Sequence, residues 1–246
     1  MNQTMNNNTN TLPGERRWLK FLFHFFLKFA IWFVGLSFFS VVFFKWVPVP
    51  ITPLMLIRSG QQLLNGKELR LKHDWVSIKK ISPHMQLAAV CSEDQNFFTH
   101  HGFDFGAMKK AVNESKKKNG KLRGASTISQ QTAKNVFLWP QRSWVRKGLE
   151  VWFTGLIELI WGKKRILEVY LNSIEMGNGI YGAEAASKYY FNVKAAELSK
   201  YQATSIVAIF PSPQKWNARN PGPYVQSRIA WINRQMKLHS PLPYKL

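Results

Sequence analysis

Two adjacent carboxylates, Glu93 and Asp94, lie in the stretch 85–104, MQLAAVCSEDQNFFTHHGFD. Ser82 is suited to cap a helix ahead of this stretch, and Gly102 is suited to end one. Between them, apolar residues recur about three or four positions apart, as on one helix face: Leu87, Val90, Cys91 and Phe97. The pattern places Glu93 near the C-terminal end of a mostly buried helix, a setting that suits a proton acceptor. A solvated acidic pair at a helix end fits the same stretch equally well.

A second polar segment, Gly124 to Asn135, combines a helix cap with groups that bind anions. Ser126 or Thr127 can cap a helix whose first backbone amides point at an anion. Gln130 and Lys134 then lie one turn apart on one face of that helix. A cap followed by Gln-Gln and Lys is more specific than a cap alone.

The third polar group belongs to a predicted long helix from Ser143 to Trp161, with Ser143 as its N-cap. Arg146 and Glu150 are four positions apart and share a face, and Lys147 follows Arg146 directly. An ion pair on a solvated surface, worth well under ~1 kcal/mol, would have the same spacing.

The small number of acidic residues, 13, permits an elimination. Four acidic residues are set aside because they lie in the N-terminal tail (residues 1–20), in residues 66–80 or in the lysine-rich segment 105–123: Glu15, Glu68, Asp74 and Glu114. Three more are set aside as residues of predicted helix surfaces: Glu158, Glu184 and Glu197. Six carboxylates remain, namely Glu93, Asp94, Asp104, Glu150, Glu168 and Glu175. Lys134, Arg146 and Lys147 accompany them. Carboxylates in a basic cleft next to a membrane suit proton abstraction beside a phosphorylated lipid.

The composition favours anionic partners. The 246 residues carry 34 Lys and Arg against 13 Asp and Glu, a net charge of +21, with a sequence pI near 10.2. Such a balance suits nucleic acid, anionic lipid head groups or a phosphorylated substrate. The single cysteine, Cys91, excludes an intrachain disulfide. With one cysteine and no His-x-x-x-His pair, no zinc site built from this chain is expected.

An apolar segment, Phe21 to Val47, predicts one transmembrane anchor. Its uninterrupted core runs from Phe29 to Phe44 and is bracketed by lysines that can snorkel. A cleaved signal peptide and a buried soluble helix fit less well, because the run is long and nearly every face of it is apolar. Basic residues before the span place the tail, residues 1–20, in the cytoplasm, and residues 48–246 then form the periplasmic domain.

The rest of the chain predicts a mainly α-helical domain with almost no alternating strand pattern. Further helices are expected over residues 54–64, 163–172, 183–191, 199–210 and 224–238. The lysine-rich segment 105–123 is the best candidate for a mobile basic flap. A glycine-rich turn, 177–182, opens a helix, and 66–80 is either a short strand or a loop.

The polar segments described above match the motifs of a known enzyme family. The chain resembles the peptidoglycan glycosyltransferases of the lysozyme-like family 51, in their monofunctional, membrane-anchored form. Five motifs match in order: Glu93-Asp94-x-x-Phe-x-x-His-x-Gly102, Gly124 to Asn135, Arg146-Lys147-x-x-Glu150, Lys163-x-x-Ile-Leu-Glu-x-Tyr-Leu-Asn172, and Gly179-Ile-Tyr-Gly182 through Phe191. Together they cover most of residues 85–191.

The resemblance implies an enzyme that polymerises lipid II, an undecaprenyl-diphosphate-linked disaccharide pentapeptide, into β-1,4-linked glycan with inversion at the donor sugar. It implies a larger helical lobe and a smaller mobile jaw lobe, to which the flap corresponds. Glu93 would be the general base and Glu150 the second carboxylate. The expected substrate-binding residues are Ser126, Thr127, Gln130, Gln131, Lys134, Asn135, Arg146 and Lys147. No covalent cofactor is implied. Asp94 either touches a divalent cation, Mg²⁺ or Mn²⁺, bound to the diphosphate, or holds the helix end.

The expected partners are lipid II, the growing glycan strand, the membrane, penicillin-binding transpeptidases and divisome proteins. No transpeptidase activity is expected, because the chain has no Lys-Thr-Gly or Ser-Asp-Asn motif. Two rival functions remain to be tested. A lytic muramidase-like enzyme would not need the basic cluster, and a tethered nucleic-acid-binding protein would not need the ordered acidic motifs.

Overall fold

A computed structural model of the chain describes residues 13–117, 126–239 and 242. Over this part of the chain the structure is mainly helical, as the sequence predicted. The helices are α1 (Pro13–Trp46), α2 (Pro53–Leu64), α3 (Pro83–Glu93), α4 (Phe105–Lys117), α5 (Ile128–Phe137), α6 (Trp144–Ile160), α7 (Lys163–Ser173), α8 (Ala183–Phe191), α9 (Lys200–Ala208) and α10 (Pro223–His239). Three short strands form one small sheet: β1 (Lys72–His73), β2 (Glu175–Gly177) and β3 (Ile180–Tyr181).

Helix starts follow from local side-chain chemistry. The serine before each of α3, α6 and α9 accepts a hydrogen bond from a backbone N–H in the first turn: Ser82, Ser143 and Ser199. Thr127 does the same for α5, and Gln130 accepts a bond from the Thr127 N–H in return, which completes a capping box. The predicted caps Ser82, Ser143 and Thr127 are therefore confirmed.

The N-terminal helix α1 is long and apolar enough to cross a membrane, judged by its length and composition. Most of its large apolar side chains are exposed, as a membrane anchor requires. It begins at Pro13, so the last residues of the predicted tail, 1–20, continue the same helix. Residues 1–12 of that tail lie outside the described residues. The division at residues 20 and 47 stays a prediction.

The C-terminal end of α1 is docked on α6 and α7. Trp161 donates a hydrogen bond from Nε1 to the carbonyl oxygen of Val41 at 2.7 Å. The Arg165 guanidinium donates to the carbonyl oxygens of Phe44 and Val47, each at 2.7 Å. Carbonyls in the last turn of a helix have no partner within the helix, so Arg165 satisfies them. These bonds tie the C-terminal end of α1 to α6 and α7.

Two groups of packed helices position the polar residues. Every residue of α3 from Met85 to Cys91 is buried, and α3 packs against α9 and α10. The second group consists of α5, α6 and α7, in which α5 packs against the other two helices. The C-terminal end of α3 meets α5, so residues from the first two motifs become neighbours.

The small sheet was not predicted as a whole, although a short strand was one of the two alternatives for residues 66–80, where β1 lies. Strand β3 pairs in parallel with β1 and antiparallel with β2. Gly179 lies in the turn with φ +71°, and a Cβ atom there would lie 2.1 Å from the carbonyl oxygen of Arg70. Only glycine fits this close approach. The predicted turn over 177–182 and the helix after it are confirmed, but strands of two or three residues are too short to show alternation.

Two expectations need correction, and the predicted flap is only partly covered by the described residues. Helix α3 ends at Glu93, well before Gly102, and residues 94–104 form turns and bends. The predicted flap, 105–123, is helical from Phe105 to Lys117, and its remaining residues lie outside the described part of the chain. Glu184 is buried rather than on the surface, because its carboxylate accepts the backbone N–H of Ala195 at 2.8 Å.

Candidate active site

Glu93 is the last residue of α3, and two side chains fix its carboxylate. The Ser92 hydroxyl donates to Oε1 at 3.2 Å, and Gln131 of α5 donates from Nε2 to Oε2 at 3.1 Å. Tyr170 donates from its hydroxyl to Oε1 of Gln131 at 3.4 Å. Burial raises the pKa of Tyr170, and the charges of Glu93 and Asp94 raise it further, so it acts as a neutral donor. Glu93 is thus oriented from both sides while remaining half-buried in a cleft.

Arg228 of α10 supports this arrangement, and sequence reasoning missed it. Its Nη2 donates to the Ser92 hydroxyl at 3.3 Å, and its Nε donates to the carbonyl oxygen of Ala208 at 2.9 Å. Ser92 thus receives a bond from Arg228 and gives one to Glu93. Ser92 and Arg228 are 136 positions apart in the chain, and no local sequence pattern predicts their contact.

Asp94 joins the first two motifs. Its Oδ2 accepts the backbone N–H of Ile128, the first residue of α5, at 2.9 Å. The Gly102 N–H donates to Nδ1 of His100, which leaves the proton on Nε2, and Nε2 lies 2.9 Å from Asp94 Oδ2. The anion at the N-terminus of α5 is therefore Asp94 itself. Among the described residues, no group of three or more His, Cys, Asp or Glu side chains is placed to hold a metal ion.

Two other carboxylates kept by the elimination have structural contacts. Asp104 accepts the Ala107 N–H at 2.8 Å in the first turn of α4, and this bond, with one from Asn96, lowers the pKa of Asp104. Glu168 accepts the Ile78 N–H at 2.7 Å and pairs with Arg165. Both act in packing and capping.

The third motif forms a buried ionic group. Arg146 Nη1 lies 2.6 Å from Glu150 Oε2, and the Lys147 ammonium contacts the other oxygen, Oε1. Only 4% of the Glu150 side chain and 10% of the Arg146 side chain are exposed. The solvated surface pair that this spacing also allowed is therefore excluded. A pair this buried depends on each partner to offset the other's desolvation.

Glu93 and Glu150 line two adjoining cavities. A cavity of about 1000 Å³ contains Glu93, and one of about 240 Å³ contains Glu150. Four residues line both of them: Ser126, Gln131, Lys134 and Arg142. The cleft thus runs from the base candidate, past cationic side chains, to the second carboxylate.

The expected substrate-binding residues divide into two groups. Seven of them line the two cavities: Ser126, Gln130, Gln131, Lys134, Asn135, Arg146 and Lys147. Thr127 differs, because its hydroxyl donates to the Gly102 carbonyl oxygen at 2.7 Å and accepts the Gln130 N–H. It lines a third cavity of about 400 Å³, which also contains Glu93, Asp94 and Ser126. Gly124 and Ala125 of the second motif lie outside the described residues.

The structure also adds residues to the cleft. The larger cavity is lined by polar and aromatic side chains that the motifs did not single out as binding residues: Ser92, Arg142, Tyr170, Glu175, Phe210, Trp216, Tyr224 and Arg228. Glu175 was kept by the elimination of carboxylates and Tyr170 lies in the fourth motif, but no sequence pattern indicated the other six.

Cys91 lies one turn before the end of α3 but is fully buried. Burial raises the pKa of its thiol to about 11. Because the thiolate is the reactive form, the buried and protonated Cys91 is inert at neutral pH.

Lys134 offers a test of the cationic group. Burial lowers the pKa of Lys134 from its ordinary value of 10.5, and the charge of Glu150 opposes this shift while Arg146, Lys147 and Arg142 add to it. A lowered folded-state pKa means that the charged amine costs stability at neutral pH, and stability rises as pH approaches the unfolded value. We expect Lys134→Met to raise the melting temperature by a few degrees at pH 7.

Differential scanning fluorimetry at pH 7 and pH 10 checks the expectation for Lys134. The difference between wild type and variant should shrink at the higher pH, because the wild-type amine is then closer to neutral. A variant less stable than wild type at both pH values would contradict the assignment.

The chain matches a family model and known proteins over most of its length. The family model described as Transglycosylase matches residues 60–237. A biosynthetic peptidoglycan transglycosylase from Bacteroides thetaiotaomicron is 54% identical over 213 residues, which cover 87% of this chain and 86% of that protein. Proteins of the same name from Pseudomonas aeruginosa and Pseudomonas putida are 48% and 51% identical; the alignments cover 89% and 84% of this chain, and 94% and 87% of those proteins. The chain therefore belongs to the transglycosylase family and is a glycosyltransferase of peptidoglycan synthesis.

Proposed function

We propose that this enzyme polymerises lipid II into β-1,4-linked glycan strands, with inversion at the donor sugar. The observation that carries the proposal is the cleft in which Glu93 faces a wall of cations, Lys134 and Arg142, with Arg146, Lys147 and Glu150 beyond them. A base next to cations suits a reaction in which a hydroxyl loses a proton and a diphosphate leaves.

In the proposed step, Glu93 accepts the proton of the acceptor sugar 4-hydroxyl. The freed oxygen attacks the anomeric carbon of the donor, and the bond from that carbon to the diphosphate oxygen breaks. The electron pair leaves with undecaprenyl diphosphate, and attack opposite to the leaving group inverts the anomeric centre. Ser92 and Gln131 hold the Glu93 carboxylate in position for this transfer.

The leaving diphosphate gains negative charge as the bond breaks. Lys134, Arg142 and Arg146 are placed along the cleft to stabilise it. Glu150 holds Arg146 and Lys147 through its two oxygens, so it orients the cations towards the donor. Its proposed role is to assist the departure of the leaving group.

Asp94 does not fit a protein-held cation site. Its Oδ2 carries a backbone bond, and both of its oxygens lie within 3.0 Å of His100 Nε2. We therefore assign Asp94 the structural role, and any Mg²⁺ or Mn²⁺ would arrive bound to the substrate diphosphate. No step of the mechanism is derived through a cation.

The anchor supports the choice of a lipid-linked substrate. We propose that α1 spans the bacterial inner membrane once, with the N-terminus in the cytoplasm and the cleft on the periplasmic side. Leu54 of α2, close after the anchor, lines the larger cavity. The cleft would then open near the bilayer surface. Cross-linking would be left to penicillin-binding transpeptidases, with divisome proteins as further partners and no nucleic acid involved.

The test is the incubation of the purified full-length protein with lipid II in detergent. We expect a ladder of glycan strands on a gel, and lysozyme should remove the ladder. Preformed glycan incubated in parallel should keep its length. If lipid II stays intact while preformed glycan becomes shorter, the enzyme is a lytic hydrolase and the proposal is wrong.

A further inference from the structure

Glu175 is a second carboxylate on the wall of the cavity that contains Glu93. It lies at the start of β2, and 8% of its side chain is exposed. The proposed mechanism uses only Glu93 and Glu150, so it gives Glu175 no task. A buried carboxylate is costly unless hydrogen bonds compensate it, which makes its partners informative.

The partners of Glu175 leave acceptor capacity unused. Gln214 donates from Nε2 to both oxygens, at 3.1 and 3.3 Å. The Gly179 N–H lies 3.4 Å from Oε1, longer than an ordinary hydrogen bond. Arg58 Nε is 3.8 Å from Oε2, which is close enough for ionic attraction but too far for a hydrogen bond. An ionised carboxylate has about four acceptor positions, so Glu175 can receive a ligand donor.

The charge of Arg58 limits what that donor can be. Burial is the main cause that raises the pKa of Glu175, while Gln214, Arg58 and Gly179 act in the opposite direction. A ligand ammonium placed at Glu175 would meet the guanidinium of Arg58 and be repelled. A neutral N–H or O–H donor meets no such repulsion.

The same cavity has an aromatic surface. Phe210, Trp216 and Tyr224 line it, and the rings of Trp216 and Tyr224 have their centroids 5.1 Å apart. Aromatic side chains combined with a few polar groups are typical of small-molecule binding sites, and pyranose rings present apolar faces that pack on such rings. The cavity that Glu175 lines therefore suits a sugar.

We propose that Glu175 is a specificity-determining residue that accepts a hydrogen bond from the acetamido N–H of an N-acetylated sugar bound in the cleft. The inference rests on the proposed function for the presence of a glycan. It extends that function by naming the group that is recognised. The acetamido group distinguishes peptidoglycan sugars from plain glucose polymers, and its N–H is a neutral donor of the kind that the charge of Arg58 permits at Glu175.

The test compares two soluble tetrasaccharides on the full-length protein in detergent micelles. Chitotetraose carries acetamido groups, and cellotetraose has the same β-1,4 glucose backbone with hydroxyls in their place. Tryptophan fluorescence and titration calorimetry report binding. We expect wild type to bind chitotetraose at least about tenfold more tightly, in line with one hydrogen bond to a charged group.

Two variants and a control isolate the side chain. Glu175→Ala should reduce the preference to about twofold or less, whereas Glu175→Gln keeps an acceptor oxygen and should retain most of it. The control is Glu68→Gln, which changes an exposed carboxylate that does not line the cleft. It should behave as wild type. In polymerisation, Glu175→Ala should raise KM with little change in kcat, because uniform binding is lost.

Equal binding of the two tetrasaccharides by wild type would overturn the inference, as would an unchanged preference in Glu175→Ala. Equal weakening of both sugars by Glu175→Ala would also overturn it, because it would mean that a hydroxyl is recognised. The binding assay needs no turnover. If the protein polymerises lipid II but shows no preference for chitotetraose, only this inference is wrong. If it shows the preference but does not polymerise lipid II, only the proposed function is wrong.

Discussion

Replacing Glu93 with glutamine is expected to lower the rate of glycan polymerisation by about a hundredfold to ten-thousandfold, the range that a general base contributes. Glutamine has the shape of the carboxylate but cannot accept the proton of the acceptor hydroxyl. Its amide oxygen can still accept a bond from Ser92 or Gln131, so the local structure should persist. Initial rates with lipid II, measured on gels or with labelled substrate, give the comparison.

The stability of the Glu93→Gln variant decides how a loss of activity is read. The melting temperature of the variant should lie close to that of wild type. Glu93 is half-buried, contacts only a hydroxyl and an amide, and has no ion-pair partner among the described residues. Glu68→Gln makes the same chemical change at an exposed position and should leave the rate unchanged. A Glu93→Gln enzyme that keeps more than a tenth of the wild-type rate would refute the assignment of the base.

Much of the local structure could be predicted, because it depends on neighbours in the chain. The capping residues Ser82, Thr127 and Ser143 act within three positions of themselves, and each was visible before a run of helix formers. The spacing of Arg146 and Glu150 likewise indicated a shared helix face. The family resemblance added the roles of Glu93 and the second motif, which spacing alone left open.

The contacts that build the cleft could not be predicted in the same way. Asp94 reaches the Ile128 N–H across 34 positions, and Arg228 reaches Ser92 across 136. Such contacts depend on how α3, α5 and α10 pack, and the periodicity of one helix does not contain that information. Helix α3 also ends before Gly102, and the carboxylate of its C-cap, Asp94, accepts the Ile128 N–H at the start of α5.

Burial was the other quantity that spacing could not supply. The spacing of Arg146 and Glu150 was compatible with a solvated ion pair. In the structure both side chains are buried, and α6, which carries them, packs against α5. Burial changes the contribution that this ion pair makes to the free energy of unfolding. An exposed pair contributes little to stability, while breaking a buried pair leaves one uncompensated charge.

Glu150→Ala is therefore expected to destabilise the protein by about 3–5 kcal/mol and to abolish polymerisation. The Arg146 guanidinium would stay buried without its carboxylate, and its Nε already has no hydrogen-bond partner in the described part of the chain. Urea unfolding of the detergent-solubilised protein measures the change. Glu150→Gln keeps the shape and one acceptor oxygen, so it should lose less stability but a similar share of activity.

A double variant separates the structural from the catalytic contribution of this pair. In Arg146→Met combined with Glu150→Leu, no charge of the pair remains buried, and apolar side chains of similar volume fill the space. We expect its stability to recover to within about 1 kcal/mol of wild type, which gives a large coupling energy in the double-mutant cycle. Polymerisation should stay absent, because the cations that face the diphosphate have lost Arg146 and the carboxylate that orients Lys147. Recovery of activity together with stability would mean that the pair only supports the fold, and the proposed leaving-group role of Glu150 would then be wrong.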